Sequence, residues 1–206
     1  MKFYHIHRNG SYDFLYHEGQ VINAGNDYNN LKTKYMDTDC LYPTAIASRY
    51  GEPIEYRTDL ERLLNIDKYN EMDRDEQIEL LEAARNYIHA MKIVNRENIL
   101  ENVRSRYYKD KPSRQTCMWL TTEDDLNEWV KLLTKNNGKD LSIFEMSLDG
   151  NIFMSCNELI PYECDSLKRQ QYAAFHYWEP QDKYLRMSVA KEILFEGEAK
   201  VLKRVN

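Results

Sequence analysis

The sequence lacks the features that mark secreted and metal-cluster proteins. It has only four cysteines in 206 residues, and none has the Cys-x-x-Cys spacing of zinc or thioredoxin-like sites. The four are Cys40, Cys117, Cys156 and Cys164. Reduced, buried thiols are therefore predicted.

Long apolar segments are missing as well. The longest apolar stretches, such as Cys117-Met118-Trp119-Leu120, fall far short of the roughly 20 residues that cross a bilayer. The first residues lack the apolar segment of a signal peptide. We therefore predict a soluble, cytoplasmic protein with no membrane partner.

The common nucleotide, hydrolase and metalloprotease signatures are also absent. The chain has no Gly-x-Gly-x-x-Gly, Gly-x-x-x-x-Gly-Lys, Gly-x-Ser-x-Gly or His-Glu-x-x-His. His5 and His7 would share one face of a strand, where two imidazoles can bind a metal. No third ligand lies near them in the sequence, and core packing explains the pair equally well, so no metal site is predicted.

What the sequence contains is typical of one globular domain over residues 1–206. Apolar residues make up 42% and charged residues 30%, with 16 Tyr and 3 Trp. The net charge of -6 gives no general attraction to nucleic acid or anionic lipid. A local basic patch is still compatible with this charge.

Local patterns in the first half predict a strand, a loop region and a helical insert. Residues 2–8 alternate as a strand does and end before a turn signal. Residues 19–56 predict surface loops with short strands or turns, a region suited to ligand binding. Asp73 and Glu76 have the spacing of a capping box, and helical apolar spacing predicts helices at about 73–92 and 95–107, which we interpret as an inserted hairpin.

Patterns in the second half predict alternating strands and helices. A buried strand is expected at 116–121, followed by a helix capped by Thr122 and stopped by Gly138, and a later helix from Asp165 to Trp178.

Two turns are also predicted within the strands of this half. Asp149-Gly150 predicts a tight hairpin between strands 141–148 and 151–155, because both residues tolerate positive φ. Strands 192–195 and 199–202 are expected on either side of a bulge or turn at Glu196-Gly197-Glu198.

Three short motifs follow one another along most of the chain. They are Phe3-Tyr4-His5, the segment Pro112-Ser113-Arg114 with Cys117-Met118-Trp119-Leu120, and Lys191-Glu192-Ile193-Leu194-Phe195-Glu196-Gly197. In this order they resemble an uncharacterised bacterial family of the ADP-ribosyltransferase-like superfamily. The resemblance implies an α+β fold with a split, bent mixed β-core that clamps NAD, flanked by helices and the inserted helical hairpin.

The resemblance also implies site residues. Glu192 would stabilise the oxocarbenium-like ribose that forms when the nicotinamide–ribose bond breaks, and His5 would hydrogen-bond a ribose hydroxyl. Ser113, Trp119 and Tyr177 would contact the cofactor. Core packing is the alternative role for Trp119 and Tyr177.

This chain departs from the superfamily pattern in two places. Ile6 follows His5 where many members have Gly, and the middle Tyr of the usual triad is not identifiable. Glu196-Gly197-Glu198 resembles the Glu-x-Glu pair of arginine-specific members, but an exposed acidic turn would give the same sequence.

The function implied by the resemblance is an ADP-ribosyltransferase with NAD as its substrate. It would modify a protein or nucleic-acid acceptor in a toxin-antitoxin or phage-defence setting, where a partner protein would neutralise it. The alternative is a catalytically inactive interaction or NAD-sensing protein of the same fold. The two functions differ in whether His5 and Glu192 converge on one pocket.

Overall fold

A computed structural model describes residues 1–8, 16–25, 66–137, 141–161 and 166–205. The strands are β1 (Phe3–Arg8), β2 (Val21–Ala24), β3 (Met118–Thr122), β4 (Leu141–Cys156) and β5 (Lys191–Arg204). The helices are α1 (Ile66–Glu71), α2 (Arg74–Tyr107), α3 (Leu126–Asn137), α4 (Leu167–Trp178) and α5 (Asp182–Met187), with a 3-10 turn at Asn157–Leu159. The predicted α+β class is confirmed.

The chain divides into two compact units, residues 30–96 and residues 1–29 with 97–206. In the first unit, the structure describes α1 and the start of α2, where Leu80 and Ala83 are buried. Asp73 Oδ1 accepts hydrogen bonds from the backbone N–H groups of Asp75 and Glu76, and Glu76 Oε2 accepts one from the Asp73 N–H. The predicted capping box is thus present at the start of α2.

The second unit contains a single antiparallel sheet that closes on itself. β1 pairs with β3 and β4, and β5 pairs with β3 and β4, so these four strands form a ring. β2 adds to β5, with Val21 opposite Lys200. Closure of the ring pairs both edges of β1 and brings the early and late parts of the chain together.

Two hydrophobic cores lie on the two faces of this sheet, because side chains alternate along a strand. The first, which we call the sheet core, is built from all four strands of the ring and β2. It includes Met118, Phe144, Ile193, Phe195 and Val201. The second, the helix core, joins Leu194 to the end of α2 and to α4, and includes Leu100, Ala174, Tyr177 and Trp178.

Both predicted turns within the strands of the second half were wrong. Asp149-Gly150 lies inside the continuous strand β4, and Glu196-Gly197-Glu198 lies inside β5. Gly150 pairs with Gly197, at φ values of 156° and 138°. A Cβ on Gly150 would lie 2.3 Å from the backbone oxygen of Glu196. The glycines allow two long strands to approach closely, which a local turn signal cannot distinguish from a hairpin.

The predicted helical hairpin was also wrong, because α2 is one continuous helix of 34 residues. Its sequence contains neither Gly nor Pro. Nothing local therefore interrupts it at Asn95, where a second helix was expected.

The other local predictions have mixed outcomes. The first strand, the strand at β3 and the helices at α3 and α4 are confirmed, but Thr122 is the last residue of β3 and α3 begins only at Leu126, so the predicted cap at Thr122 was wrong. Gly138, Asp165 and residues 26–56 of the predicted loop region lie outside the described residues. Ser166 caps α4, since its Oγ accepts a hydrogen bond from the Arg169 N–H.

Candidate functional site

A buried group of charged and polar side chains lies beside the helix core. Arg114, between α2 and β3, is 2% exposed, and its Nε donates to Glu97 Oε2 of α2 at 2.7 Å. Its Nη1 donates to Tyr177 Oη of α4 at 2.5 Å and to Glu192 Oε2 at the start of β5. Tyr177 also donates to Glu192. We call these four residues the arginine network.

Two buried carboxylates share one guanidinium in the arginine network. Although burial alone would lower the pKa of Arg114, Glu192 and Glu97 hold it well above its usual range. Burial, together with the charge of Glu192, raises the pKa of Tyr177 well above its usual value. Tyr177 is therefore a neutral hydrogen-bond donor. The positive charge of Arg114 offsets the desolvation free energy of the two buried carboxylates.

Two other residues assigned by the resemblance lie at the edge of this network. The Trp119 ring centroid is 5.6 Å from the Arg114 guanidinium carbon. Its Nε1 is buried and has no hydrogen-bond partner among the described residues. Ser113 instead donates to Glu101 Oε2 at 2.8 Å, outside the network.

His5 has a defined hydrogen-bonding state. Its Nδ1 lies 3.0 Å from the Trp119 carbonyl oxygen, and because a carbonyl only accepts, Nδ1 must carry the proton. Burial, followed by the charge of His7, lowers the pKa of His5 to about 4 against the opposing effect of its hydrogen bond to the Trp119 carbonyl. The imidazole is therefore neutral near pH 7, and its Nε2 is an acceptor with no partner among the described residues.

Two aromatic rings lie next to the His5 imidazole. The Tyr16 ring meets it edge-on with centroids 5.4 Å apart, and the His7 ring centroid lies 6.2 Å away. Tyr16 also contacts His7 at 5.2 Å. We call His5, His7 and Tyr16 the histidine cluster.

The structure does not bring His5 and Glu192 together. His5 alternates with Phe3, which packs on the sheet core, as does its neighbour Tyr16. Glu192 alternates with Leu194 of the helix core and contacts Tyr177. The two residues assigned to catalysis therefore lie on opposite faces of the sheet.

The acidic pair of β5 lies on the same side as Glu192. Glu196 and Glu198 follow Glu192 at even spacing along the strand, with no bulge between them. Glu198 is exposed and Glu196 is half-buried. Neither carboxylate therefore faces the histidine cluster.

Sequence reasoning missed the two residues that define the arginine network. Arg114 belongs to the second of the three motifs, but an arginine in a turn is usually exposed to solvent. Glu97 lies three residues before buried Leu100 on α2, and it is only 1% exposed. An acidic residue on an apolar helix stripe was the available signal, because such a charge needs a buried partner.

The folded protein is expected to lose stability as the pH falls from about 6.5 to about 4. His5 binds a proton near 6.5 when unfolded and near 4 when folded, so in this range the unfolded state binds more protons. The full difference is about 3 kcal/mol, which partial exposure reduces to about 2 kcal/mol. Urea unfolding at several pH values would measure it.

A His5→Asn variant provides the control for this measurement. Asn keeps a donor for the Trp119 carbonyl but does not titrate, so its stability should decline less over the same pH range. An equal decline in both proteins would show that other groups cause the acid sensitivity.

The other chemistry-bearing groups in the described part of the chain have no arrangement that binds a metal. No group of three or more His, Cys, Asp or Glu side chains there could hold an ion. Cys117 and Cys156 are buried free thiols, and burial raises the pKa of Cys156 to about 11. Cys40 and Cys164 lie outside the described residues. None of the described helices is long and apolar enough to cross a membrane.

Comparison with known proteins identifies a family. Residues 3–206 match the model of a family described as a protein of unknown function, DUF2441. No curated protein matches the chain significantly. Because the family match covers nearly the whole sequence, this chain belongs to the DUF2441 family.

Proposed function

We propose that this protein is an NAD-binding or NAD-sensing domain of the ADP-ribosyltransferase-like fold, and that it does not transfer ADP-ribose through Glu192. The resemblance of its three motifs supports NAD as the ligand. The observation that carries the rest is the placement of Glu192, whose carboxylate is held by Arg114 and Tyr177 on the face away from His5.

His5 supplies the chemistry for recognising a ribose. Its protonated Nδ1 is fixed on the Trp119 carbonyl, so Nε2 is positioned to accept a hydrogen bond from a hydroxyl group. A neutral imidazole can also accept a hydrogen bond from a hydroxyl group without placing a charge beside a dinucleotide. This is the ribose contact that the resemblance assigns to His5.

Glu192 is poorly suited to the catalytic role. To stabilise the positive charge that develops on a ribose, a carboxylate must lie against the reacting carbon with its charge uncompensated. The Glu192 side chain is 9% exposed and already paired with the Arg114 guanidinium. Its charge therefore acts mainly on Arg114.

A transferase that acts through Glu192 is the second candidate. The observation that favours it is the hydrogen bond from Tyr177 to Glu192, which places an aromatic hydroxyl beside the carboxylate. The resemblance implies that Tyr177 contacts the cofactor. In this case Arg114 would have to release Glu192 when NAD binds, and a protein or nucleic acid would accept the ADP-ribose.

Calorimetric titration with NAD is expected to show binding to the wild-type protein and weaker binding to His5→Ala. Loss of one buried hydrogen bond, about 1 to 1.5 kcal/mol, corresponds to roughly a five- to tenfold rise in Kd. His176→Ala, a histidine of α4 on another part of the unit, should bind as the wild type does. Nicotinamide release should be undetectable with and without a cell extract as acceptor.

The same experiments can contradict the proposal in two ways. Nicotinamide release that disappears in Glu192→Gln would establish the transferase instead. Absence of NAD binding by the folded wild-type protein would exclude NAD as its ligand and would favour an interaction protein.

A further inference from the structure

An exposed group of aromatic rings lies where the end of α2 meets α4. Tyr107 is 62% exposed, Tyr172 67% and Phe175 37%. The ring centroids of Tyr107 and Phe175 are 5.1 Å apart, and those of Tyr172 and His176 are 4.4 Å apart. Tyr172 and Phe175 are three residues apart on α4 and so share a face. We call these four residues the aromatic surface.

The segments that carry the aromatic surface are basic, although the whole chain is acidic. Residues 101–111 and 166–179 contain six Lys or Arg and three acidic residues, Glu101, Asp110 and Glu179, for a net charge of +3, whereas the whole chain carries -6. Lys168 precedes Tyr172 by four residues and therefore lies on the same side of α4. Lys168, Arg106 and Lys109 are all exposed.

The aromatic surface rests on a firmly packed base. On the inner side of α4, Ala174, Tyr177 and Trp178 are fully buried. Tyr108 donates to Glu179 Oε2 at 3.1 Å, which links the end of α2 to the end of α4. The exposed rings can therefore be removed individually without opening the helix core.

We propose that the aromatic surface binds single-stranded nucleic acid. Exposed rings stack on unpaired bases of any sequence, and the neighbouring Lys and Arg side chains neutralise phosphates. The remainder of this acidic chain repels a polyanion, which confines binding to the basic segments. The proposal is independent of NAD binding at His5, because it rests on other residues.

Other partners fit this surface less well. An amphipathic helix of a partner protein needs an apolar groove, whereas two of these rings carry hydroxyl groups and exposed cations stand beside them. Duplex readout uses side chains that hydrogen-bond base edges, whereas the exposed rings of Tyr172 and Phe175 on α4 offer faces that stack on unpaired bases. Stacking with phosphate neutralisation uses all the features observed.

Fluorescence anisotropy with labelled oligo(dT) and oligo(U) would test the proposal on the full chain. We expect binding at about 50 mM salt that weakens steeply as salt rises. Tyr107→Ala with Tyr172→Ala should raise Kd by roughly tenfold or more, because each stacked base is worth about 1–3 kcal/mol. Lys168→Gln should remove about one phosphate contact, which lowers the slope of log Kd against log salt concentration by about one.

The matched control is Met187→Ala on α5, a side chain that is 79% exposed and outside the aromatic surface. It should bind as the wild type does, and circular dichroism should show all variants folded. Failure of both oligonucleotides to bind, or binding that the double Tyr variant leaves unchanged, would overturn the proposal. Equal binding of poly-glutamate would also overturn it, since that would indicate a general anion surface. The stronger of the two oligonucleotides would identify DNA or RNA as the ligand.

Discussion

Replacement of Arg114 by Met is expected to lower the free energy of unfolding by about 3–5 kcal/mol. The substitution leaves the carboxylates of Glu97 and Glu192 buried without their shared cation, and the loss of that buried positive charge is strongly destabilising. Urea unfolding followed by circular dichroism would measure the loss as a lower midpoint with an unchanged slope.

Lys131→Met is the matched control for this loss. Lys131 pairs with Glu128 on α3, but its side chain is 70% exposed, so its removal should change stability by less than about 1 kcal/mol. A triple variant in which Arg114, Glu97 and Glu192 all become apolar should recover much of the loss, because none of the three charges of the arginine network then remains buried. If Arg114→Met is no more costly than Lys131→Met, the arginine network is not a structural support.

Gly150→Ala is expected to destabilise the protein by about 3 kcal/mol. The new Cβ would lie 2.3 Å from the Glu196 backbone oxygen and 2.8 Å from the Gly197 Cα. These are atoms of the paired strand β5, so they cannot move away as a flexible side chain would. Thermal or urea unfolding would measure the effect.

Gly19→Ala separates the steric effect from backbone strain. Gly19 also has positive φ, at 82°, but nothing lies within 4 Å of the added Cβ. The expected cost is therefore only the strain of about 1 kcal/mol. Equal costs for the two variants would show that the close approach of β4 and β5 at Gly150 is not what requires glycine.

Elements specified by local patterns could be predicted from the sequence. The alternation of residues 2–8 gave strand β1, and the spacing of Asp73 and Glu76 gave the capping box of α2. Helix α3 followed from apolar positions three and four residues apart. In each case the signal and the structure depend on residues within about one helical turn or strand period of each other.

Features that depend on distant residues were not predictable in the same way. Asp149-Gly150 has the composition of a hairpin turn, but its conformation is decided by Gly197, 47 residues away on the paired strand. Asn95 resembles a helix start, yet α2 continues through it because no residue there breaks a helix. Local turn and cap signals act only where tertiary packing does not oppose them.

The candidate site shows the same limit. The sequence directed attention to Glu192 and Tyr177, which do lie in contact. It did not indicate that Arg114 donates hydrogen bonds to both residues. That contact requires α2, α4 and β5 to meet around one guanidinium. Nor did it indicate which face of the sheet each residue occupies, because the relative facing of β1 and β5 is fixed by the register of β3 between them.

The closed ring of strands has a consequence for the order of folding. β5 pairs with β2, β3 and β4, and Val21 of β2 pairs with Lys200 of β5. A ribosome releases the strands from β1 onward, so β2 and one edge of β3 must wait for the last strand. Because the paired residues lie far apart in the sequence, folding is slow. The unpaired edges of the earlier strands stay exposed and prone to aggregation during that time. The nascent chain is therefore a natural client for chaperones until β5 emerges and closes the ring.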